Sequence, residues 1–465
     1  IDFPGVCYYN QIDVWKGLCP NPNLLFKSVD LNYTNDKSDD ELINYRKKHL
    51  GKSLKLHYEE PINIVRGEGV YLISKNGRKY LDTINNVAHV GHENESVVIE
   101  GQNQMSILNT NSRYLHKSIN ELAEEIIQTL PEKLNVIHFV NSGSEANELA
   151  VRMMKSHTGS NDIIVSENGY HGNTNICVDI SSYKFDGKGG KGAPENTHVI
   201  PMPTKFNGKH KGEEACEGYI NEIKNSIKNL KSKCRDLGGF IIEPIISCGG
   251  QVELPDGFLK TAYDLIRENG GICISDEVQV GCGRLGESFW GFELHDVIPD
   301  IITIGKPLGN GHPIGAVVCT SEIAESFANG MEFFNTFGGN PVSCSIATQV
   351  LKVIKNENLQ KNAKTIGNYF KNELKNLSDK YDIIGDVRGQ GLFLGIEFVD
   401  HKMNPLFRET KYIVNRLKDF GILASLDGPN NNVIKIKPPL IFNKDNCDTF
   451  IFYLNKILEE DFLNK

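Results

Sequence analysis

Five short segments, 136–140, 163–166, 240–242, 271–275 and 301–304, are mostly apolar from end to end. Runs this short, with no alternation of polar and apolar positions, read as strands buried on both faces. Between them the period changes. Ala146, Leu149, Ala150, Met153 and Met154 fall on one helical face, and Ile220, Ile223, Ile227 and Leu230 on another. Both stripes read as core-facing sides of helices rather than as ligand-binding surfaces. Strands alternating with helices predict an α/β fold with a mainly parallel sheet covered on both faces. From about Ile346 the pattern predicts two long helices, a Gly-rich turn and strand over 387–398, a short strand over 433–436 and a last helix. That is a smaller α+β lobe, whose sheet could take in early strand segments around 70–81.

Composition narrows the classes of function. Lys plus Arg is 50 and Asp plus Glu 59, a net charge of −9, so no basic surplus exists to neutralise a nucleic-acid backbone. No run approaches the roughly 18 apolar residues that would argue for a membrane span. The 11 cysteines are odd in number, scattered and without a CxxC pair, which argues against a disulfide framework and a zinc site. A cytoplasmic protein is expected, with an organelle matrix the other reducing compartment that fits. The chain opens on Ile1, and Pro-, Asn- and Asp-rich turns fill its first 40 residues. These read as an arm or linker on a trimmed product, or on a piece of a longer protein.

Ligands of an open parallel sheet collect beyond the carboxyl ends of its strands, and three groups of residues sit there. Ser142, Gly143 and Ser144 join a strand to a helix and offer amides and hydroxyls where an anion is favoured; ordinary N-capping is the alternative. Asp276 ends one buried strand, and an N-cap or turn carboxylate is its plain alternative. Lys306 follows another strand, between Gly305 and Pro307, a setting that a solvated surface lysine explains poorly. An anion cup, a carboxylate and an amine together meet what pyridoxal phosphate needs: a phosphate holder, a partner for its pyridine nitrogen and a Schiff-base lysine.

At this point the motifs become specific. Asn141-Ser-Gly-Ser-Glu-Ala146, Tyr170-His171-Gly172, Asp276-Glu-Val-Gln279, Lys306-Pro-Leu-Gly-Asn-Gly311 and Asn335-Thr-Phe-Gly-Gly-Asn-Pro341 stand in the order and spacing of the class III pyridoxal-phosphate-dependent aminotransferases. The resemblance runs from about Tyr45 to Leu458. It implies the fold type I architecture, with a large domain of mainly parallel sheet flanked by helices and a smaller α+β domain built from N- and C-terminal segments. Residues 1–44 would be the arm, 45–105 and 345–465 the two parts of the small domain, and 106–344 the large cofactor-binding domain. It also implies a homodimer with its active sites at the interface. Cofactor contacts are implied for Ser142, Gly143, Ser144, Tyr170, His171, Glu243, Asp276, Gln279 and Lys306. Tyr170 would stack on the ring, Gln279 bond its hydroxyl, and Thr336 reach the partner subunit's cofactor phosphate.

A narrower resemblance lies in Ile84-Asn-Asn-Val-Ala-His-Val-Gly-His92, Leu108-Asn-Thr-Asn-Ser-Arg-Tyr-Leu-His116, Ser247-Cys-Gly-Gly-Gln251 and Lys435-Ile-Lys-Pro-Pro439. These look like the phospho-lyase branch, whose members act on O-phosphoethanolamine and 5-phosphohydroxylysine. Cys248 stands where amino-acid transaminases of the class carry a Glu, and Lys435 where they carry a carboxylate-clamping Arg. A lysine is a point charge that suits a phosphate as well as a carboxylate. Ile246 also departs from the pattern, at a place where Gln is common.

The expected reaction is elimination from a small phosphorylated amine. Lys306 would take the proton from the carbon bearing the amine, phosphate would leave the adjacent carbon, and hydrolysis would give an aldehyde and ammonia with no keto-acid required. Phosphate carries about −1.5 to −2 charges near neutrality, so cations must hold it. Arg113, Lys435 and Lys437 are the candidates, with Cys248 beside them. A subunit-contact salt bridge is the alternative for Arg113, and a surface basic pair for Lys435 and Lys437. The rival functions are a class III ω-amino transaminase and a cofactor-binding module kept for assembly. Two lookalikes are set aside: the Gly-rich 186–192, read as a polar loop and possible flap, and His89, His92 and His116, read as structural because they lack metal-ligand spacing.

Overall fold

The computed structural model describes residues 37–463, so of the arm expected over 1–44 the first 36 residues lie outside the described residues, and the rest enters a helix. The described residues divide into two compact units, one of residues 37–66 with 73–78, the other of residues 67–72 with 79–463. In the described part of the first unit, helix Asp39–His49 starts at a capping box in which Ser38 Oγ accepts from the Glu41 amide and Glu41 accepts from the Ser38 amide. The polar run at 35–40, expected as linker, thus ends in a helix start signal. Asn63 Nδ2 donates to Asp39 Oδ1 at 2.7 Å and ties the helix to the segment after it.

The second unit is organised around a seven-stranded sheet in the spatial order Val136–Val140, Gly315–Cys319, Ile301–Ile304, Ile272–Asp276, Leu237–Ile242, Asp162–Ser166, Thr197–Ile200. All five expected strands are present: two as expected, two that start one and three residues earlier, and one shifted by a residue from 271–275 to Ile272–Asp276. Two more join them. Gly315–Cys319 runs antiparallel to both of its neighbours, and Thr197–Ile200 closes the far edge. The expectation of a mainly parallel sheet holds, with the one reversed strand inserted beside Val136–Val140. Helices Gly143–Thr158 and Ala215–Ser232 carry the two predicted stripes, and every residue named for them is buried. Ser142 Oγ caps the first helix by accepting from the Glu145 amide at 3.1 Å, and Gly159, with φ +70°, ends it.

The C-terminal part forms a separate four-stranded antiparallel sheet, in the order Ile384–Gln390, Phe393–Phe398, Val433–Ile436, Ser425–Asp427, with helices Leu359–Lys380, Phe407–Asp419 and Lys444–Leu458. The segment read as one strand over 387–398 is a hairpin that turns at Gly391, where φ is +54°. The early strand Lys79–Asp82 does pair with C-terminal chain, in parallel with Ile422–Leu423. It therefore joins a different sheet from the hairpin, because Ile422–Leu423 leads away before Ser425–Asp427 takes its place beside Val433–Ile436.

Arg284 pins the stretch that follows Val433–Ile436. Its buried guanidinium donates to the carbonyls of Leu392 and Pro438 at 3.0 and 2.6 Å and bonds His89 Nδ1 at 3.0 Å, while His89 Nε2 bonds the Cys282 carbonyl at 2.7 Å. Methionine would fill the volume and leave both carbonyls without that donor. We expect Arg284→Met to lower stability by about 2–4 kcal/mol, measured by chemical denaturation. A loss under about 0.5 kcal/mol would mean that these bonds contribute no net stability.

Candidate active site

The sheet register brings the predicted groups together. Asp276 is the last residue of its strand and pairs with Thr303, and Lys306 follows three residues later on the adjacent strand's exit. On the other side of the reversed strand, Val140 pairs with Gly315, so Ser142, Gly143 and Ser144 leave the sheet at the same end. A cavity of about 210 Å³ opens there. Eight of the ten expected cofactor residues line it: Ser142, Gly143, Ser144, Tyr170, His171, Asp276, Gln279 and Lys306. Thr336 is exposed and does not line it, and Glu243 is buried behind Tyr170, where Oε1 accepts from the Tyr170 amide at 3.3 Å.

Two glycines set how closely the walls approach. A Cβ on Gly143 would lie 2.6 Å from a Val278 methyl, and one on Gly305 would lie 3.0 Å from the backbone of Gly143. The loop that carries Lys306 and the loop that starts the helix therefore meet backbone to backbone, which only glycines permit. Asp276 is fixed from three directions. Oδ2 bonds His171 Nδ1 and accepts from Asn147 Nδ2, both at 2.8 Å, and Oδ1 accepts from the Val278 amide at 3.0 Å. Asn147, one turn into the helix, was missed in the sequence. Its signal is a polar residue beside an Ala- and Leu-rich core stripe, at a position that turns out to be buried.

Burial lowers the Lys306 ammonium, against the opposing pull of Asp276 and Glu243, so the neutral amine needed for nucleophilic and base chemistry lies closer to neutrality than in an ordinary lysine. Burial, and next the neighbouring Asp276, raise the Glu243 carboxyl. Its Oε2 accepts from Ser247 Oγ at 2.5 Å.

The expected substrate residues divide. Lys435, Lys437 and Cys248 gather around Asp427, whose Oδ2 lies 3.5 Å from Lys435 Nζ and 3.8 Å from Lys437 Nζ and accepts from Gln251 Nε2 at 3.1 Å. Lys437 also donates to Gln279 Oε1 at 3.2 Å, which joins this cluster to the cavity wall. Neither lysine belongs to a plain surface pair, since Lys437 is buried and the Lys435 side chain is 26 % exposed. Burial works against the Lys435 ammonium, but Asp427 and its other neighbours raise it overall. Burial, then Asp427, push the Cys248 thiol up to about 12, so it stays neutral. Asp427 was not anticipated; an acid on a short strand near two lysines carried little signal until the strands were paired. Arg113 lies elsewhere. It is exposed, pairs with Glu332 at 2.9 Å and stacks over Phe334 at 3.9 Å, and it does not line the cavity.

The segments set aside keep structural roles. Residues 186–192 form an exposed turn, with no strand leading in and no helix following before Thr197–Ile200. His92 bonds Asp82 at 2.8 Å and His116 caps helix Lys117–Ile127 through the Ser118 amide. No helix among the described residues is long and apolar enough to cross a membrane.

Comparison with known proteins decides the family. The Aminotransferase class-III family model matches residues 55–458. The chain belongs to the class III aminotransferases. It is 44% identical over 431 residues to an alanine–glyoxylate aminotransferase 2-like protein of Drosophila melanogaster, covering 90% of this chain and 87% of that one. It is 37% identical over 440 residues to an ethanolamine-phosphate phospho-lyase homolog of Caenorhabditis elegans, covering 91% and 94%. A phospholyase from Arthrobacter in complex with phosphoethanolamine superposes with a TM-score of 0.86 at 35% identity, over 90% of this chain and 99% of that one. The architecture is fold type I, and as a class III aminotransferase the protein is a pyridoxal-phosphate-dependent enzyme.

The residues present fit that cofactor. Two residues that line the cavity, His171 and Asn147, each carry a buried polar atom, Nε2 and Oδ1, with no partner from the chain. Pyridoxal phosphate supplies an electron sink for charge that develops on the substrate carbon. Ser142, Gly143 and Ser144 would hold its phosphate at the helix N-terminus, Asp276 would face its ring nitrogen, and Lys306 would supply the amine that tethers it.

Proposed function

We propose that this enzyme is a phospho-lyase that eliminates phosphate from a small phosphorylated primary amine, O-phosphoethanolamine first and 5-phosphohydroxylysine second, to give an aldehyde and ammonia. The observation that carries the reading is the cluster of Lys435, Lys437 and Asp427 beside the cavity. Two lysines face one carboxylate, and the neutral Cys248 adds no second anion, so one formal positive charge is left to receive a dianion. The arginine of an amino-acid transaminase would bind a carboxylate bidentately, whereas Lys435 supplies a point charge that suits a phosphate as well. The likenesses to a phospho-lyase homolog and to a phospholyase solved with phosphoethanolamine support it; that to an alanine–glyoxylate aminotransferase 2-like protein favours the transaminase reading.

In this reading Lys306 removes the proton from the carbon that bears the amine and Lys435 draws the departing phosphate. Lys437 stands behind it, and Arg113, away from the cavity, is left out of the substrate set. The working form is a homodimer in which Thr336 reaches the partner subunit's cofactor phosphate. The exposed apolar side chains Met105, Tyr114, Leu115 and Phe337 are in keeping with an interface of this kind. Nine free cysteines among the described residues fit a reducing compartment, the cytoplasm or an organelle matrix.

The test is release of phosphate and ammonia from each amine with no keto-acid present. Equal amounts of both products over many turnovers support the lyase. Activity that appears only when an amino donor and a keto-acid are supplied together would make the protein a transaminase. Within the lyase reading, Lys435→Ala should raise KM for the phosphorylated amine about 10–100-fold, the loss of one charge-assisted contact, and leave cofactor affinity within about 2-fold. Equal losses in both would assign Lys435 to structure instead.

A further inference from the structure

Gln279 is engaged at both ends of its amide. Its Oε1 accepts from Asn86 Nδ2 at 3.0 Å and from Lys437 Nζ at 3.2 Å, and its Nε2 donates to Ser247 Oγ at 2.5 Å. Ser247 Oγ in turn donates to Glu243 Oε2 at 2.5 Å. Most members of this chain of bonds can reverse their roles. An amide does so by exchanging its oxygen and nitrogen ends, and a hydroxyl by rotating. An ammonium cannot, because it has three donors and no acceptor. At the far end Glu243 is a softer constraint, since burial and Asp276 favour its protonated form, which can itself donate. Burial also lowers Lys437, an effect that Asp427 Oδ2 at 3.8 Å opposes.

Lys437 is badly explained as a phosphate ligand alone. It is 3 % exposed, its ammonium lies 4.7 Å from the centre of the Phe393 ring, and the cavity-facing group it touches is Gln279 rather than open space. We propose that Lys437 is a positioning residue for the cofactor: by occupying Gln279 Oε1 it turns the amide nitrogen toward Ser247 and the cavity, so that Gln279 meets pyridoxal phosphate as a donor. One Nε2 hydrogen goes to Ser247, and the second remains for the cavity that Gln279 lines. Without the lysine, Asn86 and Gln279 can flip together and present the carbonyl instead. The proposal rests on the cofactor and not on the elimination reading, so either can fail alone.

The test is the absorbance of the substrate-free holoenzyme. Lys437→Met should displace the maximum of the lysine-bound cofactor and move the midpoint of its pH titration by about one unit. Lys437→Arg, which is also a donor without acceptors, should restore the parent values. Gln279→Glu, which leaves the lysine in place and removes the amide donor, should displace the spectrum as Lys437→Met does. In a Gln279→Leu background, Lys437→Met should add no further change. A parent-like spectrum and midpoint in Lys437→Met, with only KM raised, would overturn the proposal and make Lys437 a phosphate ligand. So would a parent-like spectrum in Gln279→Glu, a reading that stands even if the lysine variant does not fold, or additive changes in the double variant.

Discussion

Replacing Lys306 by alanine is expected to lower turnover by at least about 10⁴-fold, the largest effect of any single change in the molecule. Two losses combine. A positioned base contributes about 10²–10⁴-fold on its own, and the same amine would be the tether that places the cofactor. No neighbour can stand in, because the next lysines, Lys435 and Lys437, are held by Asp427 and Gln279. The backbone of the variant should be undisturbed, since the close contact in this loop belongs to Gly305 against Gly143 and not to the lysine side chain. Three measurements separate this from general damage: thermal stability near that of the parent, loss of the absorbance of the lysine-bound cofactor, and partial recovery of turnover with small primary amines. A variant that kept the parent spectrum would show that another amine carries the tether, and the assignment of Lys306 would fall.

How much of this was legible beforehand follows from the physics of each feature. The central strands were readable because burial on both faces leaves short apolar runs, as in 301–304; 136–140 lies at one edge of the sheet and was readable because it is apolar except for His138. Thr197–Ile200, at the opposite edge, was not, because it exposes one residue in four and mixes polar and apolar positions. Gly315–Cys319 is apolar throughout, yet it lies nine residues after Lys306, with only the single 3₁₀ turn Lys306–Gly309 between, and only an antiparallel return lets so short a connection pair with the strand before it. Asp276, Lys306 and the 142–144 turn were readable as a set because each follows a buried strand, and a parallel sheet gathers such exits at one edge. Asn147, Asp427 and Ser247 lack that address. Their importance lies in whom they touch: Asp276, the lysine pair and Glu243. Such partnerships cross 32 to 176 positions of sequence elsewhere in the same network, as from Gln279 to Ser247 and from Gln251 to Asp427, and no local pattern records them. The same holds in reverse for Arg113, which has the chemistry of a phosphate ligand and the address of a surface ion pair.

Asp276→Asn should lower kcat by about 10²–10³-fold while KM changes by no more than about 3-fold. The substitution keeps shape and removes charge, so it isolates what the carboxylate contributes. Three donors converge on this side chain, from His171, Asn147 and the Val278 amide, and they hold it with one edge toward the cavity. An asparagine can retain its oxygen toward Asn147 and His171, with its amide nitrogen then set against the Val278 amide, and it brings no negative charge to the ring nitrogen that Asp276 would face. The loss then falls on the step in which charge develops, where fixed electrostatic groups commonly contribute about 10²–10³-fold each, and not on binding of the amine. The rival explanation is disorder of the His171–Asp276–Asn147 cluster, and Asn147→Ala tests it. That change removes a donor from Asp276 but keeps the carboxylate, and it should cost about 10-fold or less in kcat. If Asn147→Ala were as damaging as Asp276→Asn, the packing of the cluster and not the charge would be the decisive quantity. If Asp276→Asn turned over within about 3-fold of the parent, the carboxylate would have no part in the chemistry, and the reason for a buried acid at the end of this strand would have to be sought in folding.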